Sequence, residues 1–244
     1  VVDLVDDPDH SGNVEASATY HRTLEVNAQE TIRVTGANGS VWVVGVPGVA
    51  EIVVDAVRRV RSDCRTDAEE QLAELHVAVH TWPKEFEIKT VQPIQTHGRS
   101  YIVDYEITVP SHFLSSITNG NGSVHLEGLR GDAKVMNGNG DITLAGQKGS
   151  SWVTLGNGEI RAWTTLPSGG RIVYAVGNGN IELSIQPQAS ASFAAKVGNG
   201  IIRVIGLNLS QVVSTQRLLT GVLGTGLGVI DLSAGNGQIQ VKGG

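Results

Sequence analysis

The chain has 244 residues, a net charge of −6 and a hydrophobic content of 40%. Its Lys and Arg residues form no basic stripe, so the sequence predicts no nucleic acid partner. No apolar run approaches the ~18 residues of a membrane span, so no transmembrane segment is predicted in this chain. The length suits one large all-β domain or two closely joined ones.

The N-terminus is rich in aspartate. Residues 1–19 include Asp3, Asp6, Asp7 and Asp9, and this composition predicts a poorly ordered acidic segment. A metal-binding tail that includes His10 is the weaker alternative. The rest of the chain, residues 20–244, is predicted to form a single domain.

A motif near residue 38 appears again in the second half of the chain. Residues 37–48, with Asn38 and Gly39 followed by alternating apolar residues, match residues 120–131. The sequence therefore predicts an early coil at 31–48, an excursion from the repeat at 49–110, and the main coils at 111–244.

The excursion is predicted to contain strands and one short helix. Thr66 and Glu69 have the spacing of a capping box, with Thr66 as the N-cap residue. The single cysteine, Cys64, precedes this helix and cannot form an internal disulfide. Alternating patterns predict strands at 51–59, 76–80, 85–91 and 101–109.

The tripeptide Gly-Asn-Gly dominates the second half of the chain. An apolar β-branched residue follows each central asparagine by three positions, and alternation on both sides indicates strand, turn and strand. Gly and Asn suit the positive φ angles of a tight corner. The central asparagines are Asn121, Asn139, Asn157, Asn178, Asn199 and Asn236.

Successive asparagines are 18, 18, 21, 21 and 37 residues apart. A period near ~20 residues is typical of a solenoid, in which each unit buries its apolar face only by stacking on its neighbours. The predicted fold is therefore an all-β β-solenoid (β-helix) of ~18–21-residue coils with Gly-Asn-Gly corners. A sandwich or propeller is the alternative, but a propeller blade needs about 40 residues.

Stacked coils would bring equivalent polar residues together. The six asparagines are predicted to form a structural ladder of hydrogen-bonded amides. Four positions after each asparagine the side chain points outward, and simple stacking predicts Glu182 between Arg161 and Arg203.

Exposed tryptophans are the candidate ligand-binding residues. Trp42, Trp152 and Trp163 fall on outward positions of the predicted coils, where an indole can stack on a sugar or anchor a partner. The alternative is that each of them lies under a loop of the chain.

No pattern in the sequence indicates catalysis, a cofactor or a metal. Asp141 follows a Gly-Asn-Gly corner as in calcium-binding β-rolls, but equivalent positions vary too much to supply the six to eight oxygens that calcium needs. His76 and His80 alternate on a predicted strand rather than on a helix. We therefore predict no catalytic residues, no cofactor and no metal ligands.

These motifs resemble the bacterial putative-adhesin family of secreted or membrane-attached β-solenoid domains. The resemblance rests on residues 34–43, 103–110, the Gly-Asn-Gly repeats and residues 221–237, and covers about residues 20–244. It implies an extracytoplasmic location, whether secreted, periplasmic or cell-surface, and supplies no catalytic residues.

The sequence therefore predicts a non-enzymatic, extracytoplasmic binding or scaffold module at the bacterial cell envelope. A surface glycan or an envelope protein is the expected partner. Two alternatives stay open: a carbohydrate-binding or carbohydrate-active protein, and a self-assembling envelope scaffold. A cleft with paired carboxylates or aligned tryptophans would favour the first, and an uncovered, uncharged terminal edge would favour the second.

Overall fold

The computed structural model describes residues 14–244. Residues 1–13 of the predicted acidic segment lie outside the described residues, whereas residues 14–19 belong to the first strand. The described part of the chain is built from strands, with one helix, α1, at Arg65–Glu74.

The strands before the repeats include those that the alternating patterns predict. They are β1 (Val14–Glu25), β2 (Thr31–Thr35), β3 (Val41–Val46), β4 (Glu51–Ser62), β5 (His76–Thr81), β6 (Glu85–Val91) and β7 (Ser100–Pro110).

The remaining strands carry the Gly-Asn-Gly corners and the C-terminal region. They are β8 (Leu114–Asn121), β9 (Val124–Glu127), β10 (Ala133–Asn139), β11 (Ile142–Gln147), β12 (Ser151–Thr164), β13 (Arg171–Ile185), β14 (Ala191–Ile205), β15 (Leu209–Ser214), β16 (Leu218–Leu223) and β17 (Gly228–Gly243).

The predicted β-solenoid of repeated coils is wrong. The strands belong to one 17-stranded sheet, nearly closed and barrel-like, that mixes parallel and antiparallel pairs. The pairs β1–β4, β4–β7, β5–β6, β14–β16 and β15–β16 are antiparallel. Simple stacking of coils in one direction would give parallel pairs alone.

Each Gly-Asn-Gly corner and the strand segments on either side of it form one row of the sheet, and the rows do not follow chain order. β17 lies between β13 and β14 and pairs in parallel with both. Ile181 is therefore opposite Ile239, and Ile239 is opposite Ile202. Chain order alone would have placed Ile181 beside Ile202. The last strand is inserted into the sheet instead of extending it.

The local register of the repeat is nevertheless the one that the asparagine alignment predicts. Val124 pairs with Ile142, Ile142 with Ile160, and Ile160 with Ile181. The side chains of this column are buried, with Ile142 and Ile160 fully inaccessible. Because these apolar residues occupy the same place in each row, they form a continuous column of the core.

Each corner depends on its second glycine. In the row of Asn157, Gly158 has a φ of 136°, and a Cβ atom added there would lie 2.2 Å from the carbonyl oxygen of Gly140. The asparagines themselves have no positive φ, contrary to the sequence prediction. Only glycine allows both the backbone angle and the close approach of neighbouring rows.

The excursion covers the first row of the repeat. β3 pairs with β7 on one side and with β9 on the other, and β7 continues through β4 to β1. The capping-box prediction is wrong: the helix begins at Arg65, its N-cap residue is Cys64, and no side chain caps it. Asp67 in its first turn instead binds Arg99 at 2.5 Å.

Two buried tyrosines fix their hydroxyls inside the core. The Tyr174 hydroxyl lies 2.8 Å from Ser151 Oγ, and the Tyr105 hydroxyl lies 2.7 Å from Thr90 Oγ1. Burial raises the pKa of both phenols, that of Tyr105 to about 12. Each buried hydroxyl therefore has a hydrogen-bond partner and stays neutral.

Candidate functional site

Trp42 is exposed near the end of the sheet that the excursion covers. It points outward from β3 and is 46% exposed. Its neighbours in register are Glu106 on β7 and His125 on β9. The His125 ring meets the indole edge to face, with centroids 5.2 Å apart. One side of the indole ring system is therefore supported by the protein while the residue as a whole stays accessible.

The row of Trp42 continues across β7, β4 and β1. Glu106 is directly opposite Asp55, and Asp55 is directly opposite His21. His21 Nδ1 lies 2.6 Å from Asp55 Oδ1. The sheet thus lines up an imidazole, two carboxylates and an indole on one outward-facing row.

A cleft of about 270 Å³ opens along this row. Its lining includes Trp42, Asp55 and Glu106 from the row itself, and Val57 and Asp104 from the next one. The cleft is small, just below the range of about 300–1,000 Å³ for ligand pockets, and suits one ring of a larger ligand.

The three carboxylates of the cleft differ in their partners. Asp104 Oδ1 accepts hydrogen bonds from the Ser40 amide and hydroxyl, both at 2.7 Å, and Arg59 donates to Asp104 Oδ2. Asp55 contacts His21. The side-chain carboxylate of Glu106 has no hydrogen bond or ion pair with any residue in 14–244. Glu106 is therefore free to accept hydrogen bonds from a ligand.

The positions of Asp55 and Glu106, directly opposite each other on β4 and β7, are unfavourable for the stability of the sheet. Like charges directly across neighbouring strands destabilise a sheet, by up to about 1 kcal/mol on the scale of cross-strand pairs. A carboxylate pair beside an accessible indole combines hydrogen-bond acceptors with an apolar ring surface. Those are the two contacts that a sugar ring uses, since it carries hydroxyl donors at its edge and C–H groups on its face.

The three predicted tryptophans do not come together. Trp163 is 49% exposed on the same outward face as Trp42, but it lies three rows away and two residues further along its strand. Three strand spacings of 4.7–4.9 Å alone separate the two positions by about 14 Å. Trp152 lies before the corner, between Lys134 and Val173, and borders a separate groove of about 250 Å³. The groove of Trp152 contains one carboxylate, Asp132, which accepts a hydrogen bond from the Ser150 amide, whereas the cleft of Trp42 contains three.

The asparagine ladder runs the length of the repeat. Each side-chain amide donates to the Oδ1 of the preceding row, at 2.7–2.9 Å. The ladder starts at Asn38, which itself donates to the Tyr101 carbonyl at 3.1 Å. The order of the ladder is Asn38, Asn121, Asn139, Asn157, Asn178, Asn236 and Asn199.

The predicted Arg161–Glu182–Arg203 arrangement is wrong in one partner. Glu182 is opposite Arg161 on one side and Gln240 on the other, whereas Arg203 is opposite Gln240. The insertion of β17 separates Glu182 from Arg203. Lys242 instead donates to Glu182 Oε1, and this contact, followed by the Arg161 charge, lowers the pKa of the Glu182 carboxyl.

Sequence reasoning missed the carboxylates of the cleft. Alternation along β4 and β7 could have placed Asp55 and Glu106 on outward positions, because the adjacent residue on each strand is buried. These adjacent residues are Ala56 on β4 and Tyr105 on β7. The pairing of β4 with β7 is antiparallel and joins segments about 50 residues apart. That register was not visible in either strand alone.

Over residues 14–244, no helix has the length and apolar character needed to cross a membrane. Nor does that part of the chain contain a group of three or more His, Cys, Asp or Glu side chains placed to hold a metal ion.

No protein-family model matches the sequence, and no curated protein is significantly similar to it. Among solved structures, a putative cell adhesion protein from Clostridium sporogenes matches with a TM-score of 0.51 and 12% identity, covering 93% of this chain and 100% of its own. A putative adhesin from Bacteroides fragilis matches with a TM-score of 0.30 and 12% identity, covering 92% and 97% of the two chains.

A lipid-binding protein from Parabacteroides distasonis, also named putative, matches with a TM-score of 0.30 and 13% identity, covering 91% of this chain and 96% of its own. The two matches at 0.30 are too distant to support an argument. The Clostridium structure shows a shared fold alone, because its identity is low. The resemblance to bacterial putative adhesins is thus confirmed at the level of the fold.

Proposed function

We propose that this chain is a non-enzymatic binding module of the adhesin kind, that it works outside the cytoplasm at the cell envelope, and that it holds a surface glycan in the Trp42 cleft. The accessible Trp42 indole beside the unpartnered Glu106 carboxylate is the observation that carries this proposal. The name of the Clostridium structure and the family resemblance support the adhesin role and the extracytoplasmic location.

Binding fits the cleft better than catalysis. Cleavage of a glycosidic bond needs one carboxyl group that stays protonated, usually because apolar burial raises its pKa. Asp55 is 51% exposed and Glu106 lies on the exposed side of its strand. Two solvent-accessible carboxylates supply hydrogen-bond acceptors for the hydroxyl groups of a sugar.

A glycan-array screen followed by titration of the best ligand tests the proposal. Trp42→Ala should weaken binding at least about tenfold, since a buried aromatic contact at a binding site is commonly worth more than 1 kcal/mol. Trp82→Ala is the matched control, because Trp82 is 53% exposed and lies outside the cleft. Absence of any glycan ligand, or equal binding by Trp42→Ala, would contradict the proposal.

A separate experiment tests the proposal that the chain is not an enzyme. The same glycans should show no new reducing ends after prolonged incubation with the protein. Reproducible turnover that disappears in Glu106→Gln would show that the cleft is an active site instead.

A further inference from the structure

The end of the sheet farthest from the excursion has two free edges. β14 pairs with β17 along its length, but on its other side β16 covers only Ala191–Lys196. Within residues 14–244, no strand pairs with Asn199–Ile205 on that side. Among the described strands, β15 pairs with β16 alone, so no strand of that part of the chain pairs with its outer edge, Leu209–Ser214.

The free edge of β14 presents unused backbone groups. In the first row, the amides of Gly39 and Val41 donate to carbonyls of the next row. The same positions in β14 are Gly200 and Ile202, and β14 is the last row, so their amides point away from β17. A row of unpaired N–H and C=O groups is a template for another strand.

The β14 edge is also apolar on both faces. Ile201 and Ile205 point outward and are 45% and 53% exposed. Ile202 lies in the inward column, where Ile239 of the neighbouring row is fully buried, yet Ile202 is only half-buried. The core is therefore open at this end.

The β14 edge carries little of the usual protection against pairing, whereas β15 has a register shift between Ser210 and Val213, with Gln211 at a φ of 50°. Natural sheets block their edges with charges, prolines or bulges. Arg203 is the only charged residue in Asn199–Ile205, and Leu209–Ser214 has none. β1, whose outer edge lies at the opposite end, carries Glu15, Arg22 and Glu25 among its residues.

The two free edges form a step. β15 lies two strands beyond the first half of β14, whereas no strand of the described residues 14–244 extends the second half. We propose that a second copy of this chain docks on this end through a two-fold axis, so that Asn199–Ile205 of each copy pairs with β15 of the other. A two-fold rotation makes the step of one copy the complement of the other, as an isologous interface requires.

A second copy suits this surface better than a single foreign strand. The segment 199–223 offers 25 residues, and among them only Gly221 and Leu223 are buried. A standard interface uses about 20–30 residues on each side. A lone peptide would pair with one edge and leave the other open, whereas a second copy covers both edges and both open cores.

Measurement of the particle mass at protein concentrations across the micromolar range tests the proposed dimer. Light scattering should give a particle of twice 25.7 kDa, or 51.4 kDa, that dissociates on dilution. Replacing Ile205 and Val213 together with Lys puts a charge on each edge at exposed positions, so the fold should survive, and the mass should fall to 25.7 kDa. Replacing the exposed Val91 and Ile94 with Lys adds the same charge elsewhere and should leave the dimer intact.

Hydrogen exchange of the parent chain gives a second measurement that needs no variant. The amides of Gly200 and Ile202 should exchange more slowly as concentration rises, while those of Gly39 and Val41 should not change. A mass of 25.7 kDa at all concentrations, growth into particles larger than 51.4 kDa, a dimeric edge variant, or concentration-independent exchange at Ile202 would each overturn the proposal.

Discussion

The side chains of Asn178 and Asn236 are joined by a hydrogen bond of 2.7 Å, although 58 residues separate them in the chain. This contact marks the insertion of β17 between β13 and β14. It also makes Asn236 an internal member of the ladder, while Asn199, which precedes it in sequence, is the last.

Asn236→Ala should cost more stability than Asn199→Ala. Asn236 takes part in two ladder hydrogen bonds and Asn199 in one. At about 0.5–1.5 kcal/mol for each hydrogen bond, and nearer the lower value for exposed groups, we expect losses of about 1–2 and 0.5–1 kcal/mol. Urea unfolding at low protein concentration measures both. A larger loss for Asn199→Ala would indicate that the rows follow chain order.

Gly158→Ala should destabilise the protein severely. The added Cβ would lie 2.2 Å from the Gly140 carbonyl oxygen, and the φ of 136° is unfavourable for alanine. We expect a loss of about 4 kcal/mol or more, at the extreme of single substitutions. Gly169→Ala is the control, because its φ is 70° and nothing lies within 4 Å of the new atom.

The control should lose only about 1–2 kcal/mol, the cost of a left-handed backbone for an L-residue. Thermal unfolding of the two variants separates the effects. Similar losses at Gly158 and Gly169 would mean that the rows are not in close contact at the corner.

The Asp67–Arg99 ion pair should make stability depend on pH. Hydrogen bonds from Arg99, and then from Ser62, lower the pKa of Asp67 to about 2 from a usual value of 3.8. The folded state therefore binds the proton less readily, so the stabilisation is complete above pH ~4 and is lost as the pH falls towards 2.

Asp67→Asn should lower the melting temperature at neutral pH, and its difference from the parent should shrink between pH 4 and pH 2. Asp63→Asn removes the same charge at an exposed position four residues earlier and serves as the control. A difference that stays constant down to pH 2 would show that the Asp67 charge is not responsible.

Glu182→Arg should lower stability in a salt-dependent way. The variant would bring a third positive charge to Arg161 and Lys242, which flank this position. The groups are partly exposed, so we expect about 0–1 kcal/mol for each pair. Glu182→Gln removes the attraction without adding repulsion and should have a smaller effect. Melting curves at low and high salt measure both, and a salt-independent loss would rule out an electrostatic cause.

Much of the local structure was predictable because it depends on near neighbours in sequence. The alternation in residues 85–91 gave β6 with its observed bounds, and the strand predicted at 101–109 is β7, one residue longer at each end. The offset from each asparagine gave the inward column of Ile142 and Ile160, since identical offsets must occupy identical places when rows pair in register. The helix start was misjudged: the helix begins at Arg65, so Thr66 lies inside its first turn rather than at the N-cap.

The order of the rows and the cleft were decided only by the tertiary structure. Six equivalent Gly-Asn-Gly corners can pair in many orders, and nothing local distinguishes Asn199 from Asn236 as the neighbour of Asn178. Likewise, Asp55 and Glu106 became a pair only when β4 met β7 in an antiparallel register. The sequence alone determined which residues face inward, because that depends on the two-residue period of a strand. Which strands become neighbours depends on how the whole chain buries its apolar columns and satisfies its backbone hydrogen bonds, and those contacts are long-range.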